Sequence, residues 1–238
     1  MPEPDASVTT TRSGAGASVT VGILGGTGPL GRGLARRFAA AGHRVVLGSR
    51  DAARACATAQ EYAGVGDVTG AGNAAAARAA LVVVAVPYAG HADLLSGLAD
   101  ELADKIVVDC VNPLGFDQQG PYPLDVPAGS AAQEAAELLP RSTVVAAFHH
   151  VSAVLLDDPD VTEIVLDVLV LGEDRAATAT VAELATAIPG ARGVYAGRLR
   201  NAGQVEALTA NLIAINRRYS THAGLTVTGL PGAAGAAR

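Results

Sequence analysis

The sequence predicts an α/β protein, a doubly wound parallel sheet with a small C-terminal α/β extension. Three features carry that expectation. Short apolar runs alternate with helix-period segments through most of the 238 residues, which is how parallel strands joined by crossover helices read. One run, Leu81-Val82-Val83-Val84-Ala85-Val86, is apolar throughout and stops at Pro87, as a strand covered on both faces does. The first run, Val19 to Leu24, leads into Gly25-Gly26-Thr27-Gly28-Pro29-Leu30-Gly31 and then a helical pattern. That strand–loop–helix setting turns G-x-G-x-x-G from a weak pattern into a Rossmann-like dinucleotide site.

In this loop Gly26 is expected to allow the tight turn out of the strand. Gly28 lets the backbone approach a pyrophosphate, and Gly31 lets the helix pack closely. The helix N-terminus offers N–H groups and a positive dipole end to phosphate, so Gly26, Thr27, Gly28, Pro29, Leu30 and Gly31 are candidate cofactor-binding residues. Leu30, Leu34, Phe38 and Ala41 recur at helical spacing and give the core-facing stripe. Gly42 then ends the helix.

A second strand, Val45 to Leu47, is followed by Ser49-Arg50, with Arg54 four residues on. An NAD site places Asp or Glu here for the ribose 2′-hydroxyl. A carboxylate would repel a 2′-phosphate, whereas Arg grips one through paired charge-assisted hydrogen bonds. Arg50 and Arg54 share one face of a helix starting near Asp51, and Thr27 could add a hydroxyl. Ser49, Arg50 and Arg54 therefore predict NADP over NAD. The plainer alternative is solvated arginines with Ser49 as a helix cap.

The alternation continues. Asp67 to Thr69 is a short third strand, and Asn73 is placed to cap the Ala-rich helix after it. Pro87-Tyr88 follows the fourth strand at its carboxyl end, where open α/β sheets bind ligands. His91 to Leu98 reads as a helix and Lys105 to Val111 as a strand ended by Asn112-Pro113. Residues 114–129 read as a loop, and Ser130-Ala131-Ala132-Gln133 as a capping box. Thr143 to Phe148 is a strand running into His149-His150-Val151. Beyond it come a turn at Asp157 to Asp160, a strand at Glu163 to Leu171, a helix at Ala176 to Ile188 and a strand at Gly193 to Ala196. A final helix from about Ala202 to Tyr219 carries Val205, Leu208, Leu212, Ile215 and Tyr219 on one face, for a cleft or a dimer contact. The expected organisation is a disordered tail (1–17), an NADP-binding domain (18–155) and a C-terminal substrate and dimerisation region (156–238).

Composition excludes several classes. The net charge of −6 argues against a general nucleic-acid binder. The strongest apolar run, Ala79 to Pro87, is far too short to span a membrane. Met1 to Ala17 lacks the apolar core of a secretory signal. Cys56 and Cys110 have neither metal nor redox spacing, so the expected setting is the cytoplasm and no metal ligands are assigned. His149 and His150 lie past a strand end on the same sheet edge as Gly28 and Tyr88. Either could donate to a carbonyl or act as acid or base, or simply bond backbone. Asn112-Pro113 could fix a turn or offer an amide near the nicotinamide, the turn being favoured, and Arg198 and Arg200 could bind an acidic substrate tail or, by default, be solvated charge. There is no Tyr-x-x-x-Lys pair and no Ser/His/Asp arrangement. Hydride chemistry without an acid–base team points to two cofactors held face to face.

The chain resembles the NADPH-dependent reductases of coenzyme F420. The likeness runs through Ile23 to Gly31, Gly48-Ser49-Arg50 with Arg54, Val86-Pro87-Tyr88, Ser130-Ala131-Ala132, Val144 to His149, Leu199-Arg200-Asn201 and Val205 to Thr209. It implies that Thr27, Ser49, Arg50 and Arg54 hold the NADP 2′-phosphate. His149, as the catalytic residue, and Val151 would sit beside the stacked nicotinamide and deazaflavin rings. Val86, Pro87 and Tyr88 would line the same cleft, Tyr88 standing where many relatives have Trp. Ser152 stands where relatives can have Pro. The resemblance implies reversible hydride transfer between NADP(H) and coenzyme F420 by a cytoplasmic homodimer. The alternatives are a reductase of another small organic or metal substrate, and a non-enzymatic NADP-binding sensor.

Overall fold

In the computed structural model residues 18–230 are described; the tail expected at 1–17 and the last eight residues lie outside them. The N-terminal elements are β1 (Thr20–Leu24), α1 (Pro29–Ala40), β2 (Arg44–Ser49), α2 (Ala52–Gln60), β3 (Val68–Gly72), α3 (Asn73–Ala76), β4 (Leu81–Val84), α4 (His91–Ser96) and β5 (Ile106–Asp109). They continue with the hairpin β6 (Leu114–Asp117) and β7 (Gly120–Pro123), then α5 (Ala131–Leu138), β8 (Thr143–Ala146), α6 (Ala153–Asp157), β9 (Leu166–Gly172), α7 (Arg175–Thr186), β10 (Ala191–Gly197) and α8 (Ala202–Tyr219).

The main sheet has the order β3-β2-β1-β4-β5-β8-β9-β10. Its first six strands are parallel and reverse direction of winding between β1 and β4, the switch point where such sheets take ligands. Strands β9 and β10 are parallel to each other but antiparallel to β8, so the C-terminal α/β extension is built onto the same sheet.

Burial follows the strand period of two. Leu81 and Val83 of β4, Val108 of β5 and Val145 of β8 join one core layer under α1, α6 and α7. Val82, Val84, Val107, Val144 and Ala146 join the other, under α3, α4, α5 and the start of α8. Both faces are therefore covered, which explains the uninterrupted apolar strands.

Several expectations need correction. Ala41 is exposed and caps α1 instead of extending its buried stripe, which runs through Leu34, Ala35, Phe38 and Ala39. Asn73 is the first residue of α3, and Gly72 holds the cap position. The segment read as a loop at 114–129 contains the β6–β7 hairpin. A short helix, α6, precedes the Asp157 turn. Helix α8 has the expected bounds, but its buried residues stop at Leu212: Val205 and Leu212 are buried while Ile215 and Tyr219 are exposed.

Candidate functional site

The glycine-rich loop joins β1 to α1 at the switch point. The residue that needs left-handed backbone is Gly25, with φ of 74°, and not Gly26. A Cβ on Gly26 would stand 2.7 Å from Leu47 Cδ2, so its role is contact with β2, reinforced by its N–H donating to Gly48 O at 2.9 Å. Gly31 permits close packing as expected, but against the loop itself: its Cβ would meet Gly26 Cα at 2.7 Å and Gly25 O at 2.8 Å. Gly28 is different. The nearest protein atom to its Cβ would be Gly25 O at 3.3 Å, a tight but not forbidding contact, so among these loop glycines Gly28 is the least crowded by protein. Gly28 is also the N-cap of α1, with no side-chain cap, and Pro29 follows at the first turn. The N–H groups of that turn face outward, with the helix dipole behind them.

At the end of β2, Ser49 is buried while Arg50 and Arg54 are exposed. The cap of α2 is Asp51, whose Oδ1 accepts from the N–H of Ala53 at 2.9 Å and of Arg54 at 3.2 Å. Ser49 is therefore not the helix cap; its Oγ accepts from Asp51 N at 3.2 Å. Among the described residues no carboxylate pairs with the Arg50 or Arg54 side chain. Two guanidinium groups without a carboxylate partner among the described residues thus stand together at the end of β2. Arg198, by contrast, pairs with Glu173 at 3.2 Å.

The second group of candidate residues follows the ends of β4 and β8. Val86 and Pro87 follow β4, and Tyr88 opens a single 3-10 turn, Tyr88–Gly90. After β8 the buried Phe148 has φ of 63°, a left-handed conformation that costs roughly 1–2 kcal/mol for a residue with a Cβ. Such strain clusters at functional sites. It is followed by His149, His150 and Val151, all buried. The His149 carbonyl accepts from Asn112 Nδ2 at 2.8 Å and from Thr209 Oγ1 of α8 at 3.1 Å. Asn112 is thus a clamp on the histidine segment, not merely a turn residue. The Val205 to Thr209 stretch gains a purpose too: Glu206 accepts from the N–H groups of Ala131 and Ala132 at the start of α5, three residues before Thr209 reaches His149.

Neither ring nitrogen of His149 has a side-chain hydrogen-bond partner, its polar neighbour being the Val111 backbone, and the His150 Nε2 accepts from Leu169 N at 3.4 Å. Burial lowers both imidazoles to about 4, so both are neutral at physiological pH. A buried imidazole with no side-chain partner, next to a strained residue, is a candidate for ligand contact. Burial pushes the Glu206 carboxyl up to about 7, against the two backbone N–H groups that favour its charge.

The chain is similar to known proteins over most of its length. Residues 20–113 match a family model described as NADP oxidoreductase, coenzyme F420-dependent. The F420-dependent NADP reductase of Methanothermobacter thermautotrophicus is 40% identical over 223 residues, covering 89% of this chain and 95% of the relative. The rat metalloreductase STEAP3 is 35% identical over 193 residues, 81% of this chain but 37% of that protein. A solved structure from Arthrobacter sp. FB24, provisionally named an F420-dependent NADP-reductase, superposes with a TM-score of 0.77 at 29% identity, covering 89% of this chain and all of that one. On sequence, coverage and architecture together, the chain belongs to the F420-dependent NADP reductase family.

Proposed function

We propose that this protein moves a hydride reversibly between NADP(H) and the deazaflavin coenzyme F420. The observation that carries the NADP half is the uncrowded Gly28 at the uncapped start of α1, with Arg50 and Arg54, which lack a carboxylate partner among the described residues, at the end of β2; family membership carries the F420 half. The site fits NADP on chemical grounds: an uncapped helix end for the pyrophosphate and two cations, with Ser49 and Thr27 hydroxyls, for the 2′-phosphate.

When bound, the dihydronicotinamide supplies the hydride and the deazaflavin ring accepts it, so no covalent bond to the protein is required. The chain's own work is placement. Gly26, Thr27, Gly28, Pro29, Leu30 and Gly31 fix the pyrophosphate end. Val86, Pro87, Tyr88 and Val151 give the ring pocket its apolar walls. His149, held neutral, offers one N–H donor and one acceptor to ring substituents without competing for the hydride chemistry as an acid. The clamp from Asn112 and Thr209 fixes where it points.

The exposed end of α8, Ile215 and Tyr219, together with Phe116 and Tyr122 of the neighbouring hairpin, supplies the apolar surface we assign to a homodimer contact. No described helix is long and apolar enough to cross a membrane; we assign the enzyme to the cytoplasm. The test is spectroscopic. Protein, NADPH and F420 are mixed and the visible absorbance of oxidised F420 is followed. NADPH-dependent bleaching is expected. NADPH oxidation by a ferric chelate with none by F420 would instead support a metal reductase. Tight NADPH binding with no turnover would make the protein a sensor.

A further inference from the structure

Behind Tyr88 lies a chain of buried charged groups that hydride transfer does not require. The Tyr88 hydroxyl donates to Glu134 Oε1 at 3.3 Å. Glu134 Oε2 meets His91 Nδ1 at 3.0 Å, and His91 Nε2 meets Asp109 Oδ2 at 2.6 Å. His91 and Asp109 are completely buried, whereas the Glu134 side chain is 23% exposed. A neutral imidazole has only one N–H donor, so two carboxylates on its two nitrogens require the imidazolium. Burial works against that charge, but the hydrogen bonds and charges of Asp109 and Glu134 outweigh it and raise the His91 pKa above its ordinary value.

A buried carboxylate–imidazolium–carboxylate triad is a poor source of net stability, because desolvation consumes most of the Coulomb gain. What it provides is fixed geometry. Here the fixed points are on both walls of the cleft. On one side Asp109 Oδ1 accepts from Val111 N at 3.0 Å, next to Asn112, which clamps His149. On the other side the triad's only partly exposed member, Glu134, ends on Tyr88. Tyr88 opens a three-residue turn whose other members, Ala89 and Gly90, are exposed; its ring packs partly on the second core layer, with its centroid 6.1 Å from that of His91, and Glu134 fixes its hydroxyl end. Burial, followed by the charges of Glu134 and Glu206, raises the phenol's pKa, so it stays protonated and donates.

We propose that Glu134, anchored by the His91 imidazolium, is a positioning residue that sets the Tyr88 ring as one wall of the deazaflavin pocket. This rests on the F420 reading above. It adds that pocket's specificity device: a ring whose orientation is set by a charge-assisted hydrogen bond from beneath.

The test is a double-mutant cycle on the full chain, Tyr88→Phe, Glu134→Ala and the pair, with F420 affinity read by quenching of the coenzyme's own fluorescence and melting followed in parallel. Each single change should weaken F420 about tenfold, the worth of one hydrogen bond to a charged acceptor. The pair should be no weaker than the weaker single variant, because both remove the same contact. Glu134→Gln keeps an acceptor for Tyr88 and can donate to His91 only once His91 is neutral with Nδ1 as acceptor, so it should restore part of the affinity, less than the charged carboxylate gives. NADPH affinity of Glu134→Ala should stay within about twofold, since α5 is remote from the glycine loop. Undiminished F420 affinity in Tyr88→Phe, or losses that multiply in the pair, overturns the proposal. A wild-type protein that binds NADPH but not F420 overturns the functional reading, and this with it, by a distinct result.

Discussion

Replacing Gly28 with Ala separates what the fold needs from what the ligand needs. Gly28 has φ −80° and ψ 165°, which alanine adopts freely, and the new Cβ would meet Gly25 O at 3.3 Å, a tight contact relieved by a shift of a few tenths of an ångström in the loop. As an N-cap, alanine is worse than glycine by about 1 kcal/mol. The stiffer unfolded chain returns about 0.4–1 kcal/mol. The net change is therefore within about 1 kcal/mol, or about 4 °C in melting temperature for a chain of this size. The methyl, however, occupies the approach of the pyrophosphate to the α1 N–H groups. Losing one charge-assisted hydrogen bond costs about 1.5–3 kcal/mol, which is roughly a ten- to hundredfold loss of NADPH affinity. Gly31→Ala is the control. Its Cβ would lie 2.7 Å from Gly26 Cα and 2.8 Å from Gly25 O, all backbone, so overpacking by about 1–3 kcal/mol should lower the melting temperature by several degrees. The assay is thermal melting beside NADPH titration followed by nicotinamide fluorescence, which suffers no tryptophan background because the chain has none. A Gly28→Ala protein that melts normally and binds NADPH within about twofold of wild type would refute the placement of the pyrophosphate.

Other outcomes follow from the same site. Arg50→Ala should weaken NADPH at least tenfold more than NADH, about the worth of a paired Arg–phosphate contact; equal losses would place the 2′-phosphate elsewhere. Asn112→Ala leaves the His149 carbonyl with only Thr209. It should cost about 1–3 kcal/mol of stability and lower kcat more than it raises the KM for NADPH, and unchanged turnover would mean that the clamp serves folding alone. Acid stability follows from the buried imidazoles. His149 and His150 are lowered from 6.5 to about 4. Between those values the unfolded chain binds more protons, and each histidine removes up to about 1.4 kcal/mol of stability per pH unit as pH falls. Glu206, raised from 4.5 to about 7, acts in the opposite sense, favouring the fold as pH falls from about 7 towards 4.5. Glu206→Gln should therefore steepen the decline in melting temperature below pH 6.5, and a slope identical to wild type would contradict the buried-carboxyl assignment.

Legibility divides by range. The Gly-loop, the Ser49-Arg50 pair and the apolar β4 run are local patterns, each written in fewer than about ten consecutive residues, where periodicity and turn chemistry speak directly. The hairpin at Leu114 to Pro123 has Gly, Pro, Asp and Gln in place of alternating apolar residues, so its composition reads as loop. Asn112 and His149 are 37 residues apart, and His91 reaches Asp109 and Glu134 across 18 and 43. No spacing announces such pairs. Topology brings them together, because β4, β5 and β8 are adjacent in the sheet although long stretches of chain separate them.

The anchoring of His149 by α8 bears on how the enzyme is made. Every strand of the six-stranded parallel half is synthesised before residue 147, yet Thr209 and Glu206 belong to the last helix. A nascent chain emerging N-terminus first can assemble its NADP cradle early, but the histidine wall stays unlatched until α8 arrives. An incomplete chain is thus a dinucleotide binder without a finished reductase pocket. Ribosome-stalled chains ending before Ala202 should retain NADPH and release it without turnover.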